Sequence, residues 1–442
     1  MQIQLSEHFT YKKLIRFVLP SIIMMIFTSI YNVVDGLFVS NFVGKTALAA
    51  INITLPFLMA IAAIGFMIGT GGSALVGKTL GEGKRKEANQ YFSLLVYTAL
   101  TLGIVFSILG FLFLPALGHV LGADGELLEL CVLYGRISCI SMPFFMLQNV
   151  FQSFFVTAEK PRLGLTVMIS AGITNIVLDF LLVGVFRLGI AGAAIATVCG
   201  ELLGGSFPLF YFFRKNNSLL RLGKTHFRLQ VLKKAFLNGS SELMTNLSSS
   251  IVNTLYNLQL MHLAGEDGVA AYGTIMYVNF VFVSVFLGYS MGSAPIISYH
   301  YGAGNHNELK NMFKKSLSLI AIWGIVLTTA AQFLARPFSR FFVGYDVGLF
   351  EMTVHGFQIY SLVYLVNGYN IFGSSFFTAL NNGILSAVIS FLRTLVFQIG
   401  AIIVLPFLLG IDGVWASILV AEVLTLFITV SFFIKKRDYY HY

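Results

Sequence analysis

Charge is what this chain has least of. Only 11% of its 442 residues are Asp, Glu, Lys or Arg, against about 25% in a soluble domain. With 57% hydrophobic residues, an ordinary soluble fold is excluded and a polytopic membrane protein is expected. Cysteine is nearly absent. Cys131, Cys139 and Cys199 each sit in an apolar run without metal-ligand spacing, which argues against a zinc cluster or disulfide framework and for small core residues. No cleavable signal peptide is expected, because the start MQIQLSEHFTYKK is polar and the apolar run after it is too long for a signal. The glycine-rich turns GEGKRKEAN and GAGNHNE lack a preceding strand and a following Gly-Lys-Ser/Thr, so a phosphate-binding loop is not supported.

What is present is apolar sequence in blocks. Twelve runs are long enough to span a bilayer as helices, at about 14–38, 48–77, 90–115, 127–156, 163–186, 190–213, 231–262, 268–299, 311–334, 348–379, 384–408 and 412–434. Basic residues gather at both termini and at alternate junctions, as in Lys84, Arg85 and Lys86, or Lys310, Lys314 and Lys315. The intervening junctions carry Asp124, Glu126, Glu266 and Asp267. The positive-inside rule then places both termini in the cytoplasm. The net charge of +9 is thus a topology signal, and nucleic acid is not an expected partner.

The chain also repeats itself. At a shift of 221 residues Asn32 meets Asn253, Gly81 meets Gly302, Glu87 meets Glu308, Asn149 meets Asn370, and Glu201 meets Glu422. Six spans per repeat give both halves one orientation. The expected fold is all-α, with twelve transmembrane helices in two six-helix bundles related by pseudo-two-fold symmetry, and a substrate site between them. The expected boundaries are 1–213 for the N-lobe, 214–230 for a cytoplasmic linker and 231–442 for the C-lobe.

Within SIIMMIFTSIYNVVDGLF, residues Ser21, Met25, Thr28, Asn32 and Asp35 recur every three or four positions and share a helix face. Shifted by 221, the stripe becomes Glu242, Asn246, Ser249, Asn253 and Tyr256. Two polar stripes at equivalent positions suggest two walls of one cleft, with Thr28, Asn32, Glu242, Asn246, Asn253, Tyr256 and Asn370 expected to line it. The bland alternative is helix–helix glue, since Ser, Thr and Asn hydrogen-bond across membrane helices. A carboxylate is a costly glue: at membrane depth it costs about 2.5–3.5 kcal/mol on insertion scales.

Asn175 and Asp179 share a face of the fifth span, and Thr197 of the sixth could oppose them. The 221-residue shift places Tyr256 and Gly400 where Asp35 and Asp179 stand, so the acid pair belongs to the first half alone. Two carboxylates in a poorly solvated pocket favour sharing a proton. Glu201 and Glu422 are symmetric and read as structural, through helix contacts or pairing with Arg136 or Arg393. His262, His300 and His355 lie near span ends and call for no special role. The 43 Phe and 19 Tyr supply lipid-facing surface and, in part, walls for flat cations.

Over its whole length the chain resembles the MATE (multidrug and toxic compound extrusion) family. The resemblance rests on the repeat, on PSIIMMIFTSIYNVVDGLFVS, on GTGGSALVGKTLGEGKRKEAN and on TNIVLDF. Its loops resemble the MepA-like part of the DinF branch. The resemblance implies a V-shaped pair of lobes of the MOP superfamily. It also implies export of lipophilic cationic drugs in exchange for protons or sodium ions, by a monomer in the inner membrane without a cofactor. It implies a coupling site at Asp35, Asn175, Asp179 and Thr197, whose four oxygens would also suit sodium. Members of the NorM type use second-lobe acids. Glu242 matches one of these, but the tenth span carries Asn367 and Asn370 instead of an acid.

Two other functions share these features. A flippase for a lipid-linked substrate would use the same architecture, but an anionic pyrophosphate calls for cavity arginines, and only Arg136 and Arg393 lie within spans. A membrane-embedded enzyme would need a nucleophile–His pair or a metal set, and none is evident.

Overall fold

The computed structural model describes residues 3–442, apart from the side chains at positions 32, 33, 35–41, 45 and 48. Among the described residues the regular structure is entirely helical. The first half comprises Tyr11–Phe42 (α1), Lys45–Gly81 (α2), Arg85–Val120 (α3), Gly125–Thr157 (α4), Pro161–Asp179 (α5) and Gly189–Phe213 (α6). A π-helical turn at Phe180–Val185 extends α5. The second half runs Leu229–Gly302 (α7), His306–Val343 (α8), Val347–Tyr360 (α9), Asn367–Ala379 (α10), Gly383–Phe391 (α11), Ile399–Leu409 (α12) and Ile411–Tyr440 (α13).

Ten of these helical stretches are long and apolar enough to cross a membrane. One of them, α7, is 74 residues long and breaks at Gly265, where φ 62 and ψ −148 suit only glycine. It therefore makes two crossings. Val347–Ala379 is a further one, interrupted by the 3₁₀ turn Ser361–Leu365. The chain thus makes the twelve crossings expected from its apolar runs, in two six-helix bundles.

Each bundle has its own aromatic core near the basic loops, and the two cores repeat. Phe212 lies 5.1 Å from Phe92 and 5.5 Å from Phe155 in the first. Phe433 lies 5.0 Å from Phe313 and 5.9 Å from Phe376 in the second. These are the same three positions, 221 residues apart. Buried aromatic side chains dominate core energetics; five of these six rings are buried and Phe313 is half-buried.

The bundles meet at the basic end. Gly81 of α2 and Gly302 of α7 are symmetry mates. A Cβ on Gly81 would strike the Tyr299 carbonyl, and one on Gly302 would strike the Lys78 carbonyl. Only glycine allows backbones this close. Asn238 Nδ2 donates to the Gly71 carbonyl at 3.3 Å, and Asn381 Nδ2 to the Ala74 carbonyl at 3.2 Å.

Two short segments cross between the bundles as straps. Leu5 N–H donates to Glu159 Oε1 at 2.6 Å, Phe9 N–H donates to Glu308 Oε1 at 2.9 Å, and His8 Nδ1 lies 2.5 Å from Glu308 Oε2. In the linker, Arg221 N–H donates to Asn89 Oδ1 at 2.8 Å, and Arg228 pairs with Glu87 at 3.2 Å. The segment before each bundle's first helix therefore docks on the third helix of the other bundle. Burial pushes the Glu159 carboxyl above its usual range, with the Leu5 N–H opposing. A hydrogen bond from Lys13 holds Glu7 below it.

Candidate functional site

Two cavities in the membrane interior are lined by polar residues. The first is a cleft of about 180 Å³ between the bundles, lined by Met25 of α1, Phe66, Thr70 and Ser73 of α2, Glu242, Thr245, Asn246, Ser290 and Met291 of α7, and Ser375 and Thr378 of α10. It is mostly apolar and carries one carboxylate, which suits a lipophilic cation better than an anion. Methionines on two of its walls can repack around differing shapes.

Of the residues expected to line this cleft, Glu242 and Asn246 do so. The side chain of Asn32 lies outside the described residues. Thr28 is spent on its own helix, donating to the Met24 carbonyl at 2.9 Å. Asn253 is exposed farther along α7, where it accepts from the Tyr272 hydroxyl at 3.0 Å. Tyr256 is buried and stacks on Tyr272, 5.0 Å between ring centroids. Asn370 departs most from expectation. It is fully buried inside the second bundle, donating to Glu422 Oε2 at 2.7 Å and accepting from Thr429 at 2.9 Å. An amide with both ends satisfied by fixed partners is scaffold.

The second cavity is a narrow one inside the first bundle. Tyr31 of α1, Gln148 of α4, Ala171, Gly172 and Asn175 of α5, and Thr197, Gly200 and Glu201 of α6 line it. Asn175 Nδ2 donates to Thr197 Oγ1 at 3.3 Å, and Thr197 in turn donates to the Ala193 carbonyl at 3.1 Å. Asp179 lies one helical turn beyond Asn175 and is fully buried. Two of the four expected coupling residues, Asn175 and Thr197, thus meet at the α5–α6 contact, and Asp179 is buried at the end of α5. The side chain of the fourth, Asp35, lies outside the described residues.

Glu201 opens onto the same cavity and accepts from Ser141 at 2.5 Å. Its symmetry mate Glu422 has different partners. Glu422 is locked by Arg393 at 2.6 Å. The shift that maps Glu422 onto Glu201 maps Arg393 onto Gly172. Where the second bundle has a guanidinium, the first has a cavity wall of Ala171 and Gly172. Arg136 does not replace it, lying instead over the Phe111 ring at 4.9 Å.

Sequence reading missed several lining residues. Thr70, Ser73, Ser290 and Thr378 sit in glycine- and serine-rich turns of helix whose polar atoms read as helix glue. Ser29 lies within 2.5 Å of Ser284 and joins α1 to α7, but it stands beside the Thr28 stripe instead of on it. The local Gly-Ser density in GTGGSA and YSMGSAP was the available signal, since small residues mark close helix contacts.

Comparison with known proteins fits this geometry. The MatE family model matches twice, over residues 20–181 and 243–404, one match in each bundle. The multidrug export protein MepA of Staphylococcus haemolyticus is 25% identical over 435 residues, covering 98% of this chain and 95% of that protein. The MepA of Staphylococcus aureus is 24% identical over 416 residues, covering 93% and 91%. Among solved structures, an outward-facing multidrug resistance MATE transporter of the MOP superfamily superposes with TM-score 0.91 at 22% identity, covering 98% of this chain and 96% of that one. A MATE structure in the straight conformation superposes with TM-score 0.90, also at 22% identity, covering 98% and 97%. The chain belongs to the MatE family, as a membrane transporter of its MepA-like branch and not an enzyme.

Proposed function

We propose that the protein exports lipophilic cationic drugs in exchange for protons, by alternating access between its two bundles. The observation that carries this reading is the asymmetry of the buried acids. Glu201 lines a small cavity of the first bundle with Asn175 and Thr197, and Asp179 is buried one helical turn beyond Asn175, whereas Glu422, the symmetry mate of Glu201, is paired with Arg393. Acids inside the membrane mark ion pathways, and a buried carboxyl in a poorly solvated space favours uptake of a proton. Asp35 completes the set in this reading.

The drug occupies the cleft between the bundles, with Glu242 facing its charge and Met25, Phe66 and Met291 around its apolar body. Names of the relatives support the substrate class: the MepA proteins of two staphylococci are multidrug export proteins. A lipid pyrophosphate fits less well, because among the described residues no arginine lines the cleft, Arg393 being paired with Glu422 and Arg136 lying over Phe111. Both termini face the cytoplasm in this reading, so the glycine contact at Gly81 and Gly302 closes the cytoplasmic side. Protonation from outside then favours drug release, and deprotonation inside restores drug binding.

The test is growth and dye efflux in cells lacking their own exporters. Asp35→Asn and Asp179→Asn should each abolish ethidium efflux at normal membrane abundance. Full efflux by either variant removes that residue from the mechanism.

A further inference from the structure

We propose that a cavity at the basic end, between α1 and α5, binds the phosphodiester headgroup of an anionic phospholipid. The cavity holds about 520 Å³ and is lined by Ile3, Arg16, Phe17, Pro20, Glu159, Lys160, Pro161, Arg162, Leu163 and Thr166. Three cations therefore face one carboxylate. That carboxylate is engaged, since Glu159 Oε1 accepts the Leu5 N–H at 2.6 Å. Arg16 and Arg162 are exposed, and no ion pair to either is found among the described residues.

Basic residues at a helix end are ordinarily topology signals. The internal repeat separates that reading from a built site. At the same places in the second bundle stand Leu237, Asn381 and Gly383, in the positions of Arg16, Lys160 and Arg162. The same fold, in the same orientation and at the same depth, does without these charges. The cationic cluster is therefore specific to the first bundle.

The surroundings select a lipid. Phe17, Pro20 and Leu163 form an apolar wall. Beyond them Ile15, Leu19 and Ile23 of α1 and Ile173 and Val177 of α5 are exposed apolar residues, spaced along lipid-facing helix surfaces. A headgroup phosphate between Arg16 and Arg162 would leave its acyl chains against these rows. Basic pockets between transmembrane helices at the cytoplasmic surface bind anionic headgroups by this combination, and arginine offers paired donors matched to phosphate oxygens. A bound lipid would tie α1 to α5, the two helices that carry Asp35 and Asp179.

The experiment uses the full chain in mixed micelles of detergent with dioleoylphosphatidylglycerol or dioleoylphosphatidylcholine, and reads the thermal unfolding midpoint against lipid mole fraction. The anionic lipid should stabilise at lower mole fraction than the zwitterionic one. In Arg16→Gln/Arg162→Gln the half-saturating mole fraction should rise about 25-fold, at about fivefold per cation near an anionic surface. Lys310→Gln/Lys314→Gln removes two exposed charges at the same end of the second bundle and should leave it unchanged. An equal effect of the two double variants, or none from the first, overturns the site. Inorganic phosphate that matches the stabilisation and competes with the lipid overturns the lipid assignment in favour of a soluble anion. Should the arginine variant not fold, wild-type protein is cross-linked to a headgroup-photoactivatable phosphatidylglycerol. Label on 14–20 and 160–166 supports the site, and label elsewhere alone overturns it.

Discussion

Arg393 lies 2.6 Å from Glu422, and the 221-residue shift sets Gly172 in the place of Arg393. Arg393 thus pairs with Glu422 in the second bundle, while the matching place in the first is a glycine on the wall of the cavity that Glu201 opens onto. Removing Arg393 should expose the cost of that neutralisation. Arg393→Ala leaves Glu422 buried beside Asn370 without its cation, which should cost about 3–5 kcal/mol of stability. The double variant Arg393→Ala/Glu422→Gln should recover part of it. The unfolding midpoint in micelles reads this, and an Arg393→Ala protein as stable as wild type would contradict the pairing.

The two glutamates should separate by function. Glu201→Gln should abolish dye efflux while the protein stays folded and abundant, because Glu201 shares its cavity with Asn175 and Thr197. Glu422→Gln should keep efflux and lose stability. Efflux assays paired with membrane blots check both. Transport by Glu201→Gln at the wild-type rate would return Glu201 to scaffold.

Contact between the bundles can be tested through glycine. Gly302→Val places methyl groups against the Lys78 carbonyl and should destabilise by about 1–3 kcal/mol through overpacking. Gly223→Ala, with open space around it, should be neutral within error. Unfolding midpoints of both variants decide, and equal midpoints would mean the helices move apart at no cost.

Burial raises the Glu159 carboxyl above its usual range, which fixes the sign of a pH effect. A carboxyl with a raised folded-state pKa favours the folded state at acid pH, and the benefit is lost as pH rises through that pKa. Glu159→Gln keeps an oxygen for the Leu5 N–H and removes the buried charge. It should raise the unfolding midpoint at pH 7 and leave it near wild type at pH 4. Glu7, held low by Lys13, contributes the opposite slope: its stabilisation is lost on acidification. Glu7→Gln should therefore lower the midpoint at pH 7 and converge with wild type in acid. Parallel pH profiles for all three proteins would contradict both assignments.

Much of the fold was legible in sequence because bilayer thickness fixes span length and the repeat fixes symmetry. The break at Gly265 follows from the acidic turn Glu266-Asp267 just after it. The contact of Asn175 with Thr197 was legible from helical spacing, and Asp179 drew attention because an acid at membrane depth is rare. The cleft between the bundles was read less well. The stripe from Glu242 to Tyr256 is real at its first two members, but α7 turns its far end away, so Asn253 is exposed and Tyr256 packs on Tyr272. Periodicity assigns a face and cannot say which neighbour covers it. Asn370 was misplaced for the same reason, since its partner Thr429 lies 59 residues away. The surroundings of Glu201 and Glu422 differ through Gly172 and Arg393, a comparison that needs three-dimensional contact to acquire meaning.

The most direct measurement of the central claim uses purified protein in liposomes, with proton and sodium gradients imposed separately on a fluorescent dye cation. A pH gradient without sodium should drive dye against its own gradient, and Asp179→Asn should abolish that flux. Dye movement that follows a sodium gradient and ignores the pH gradient would contradict proton coupling.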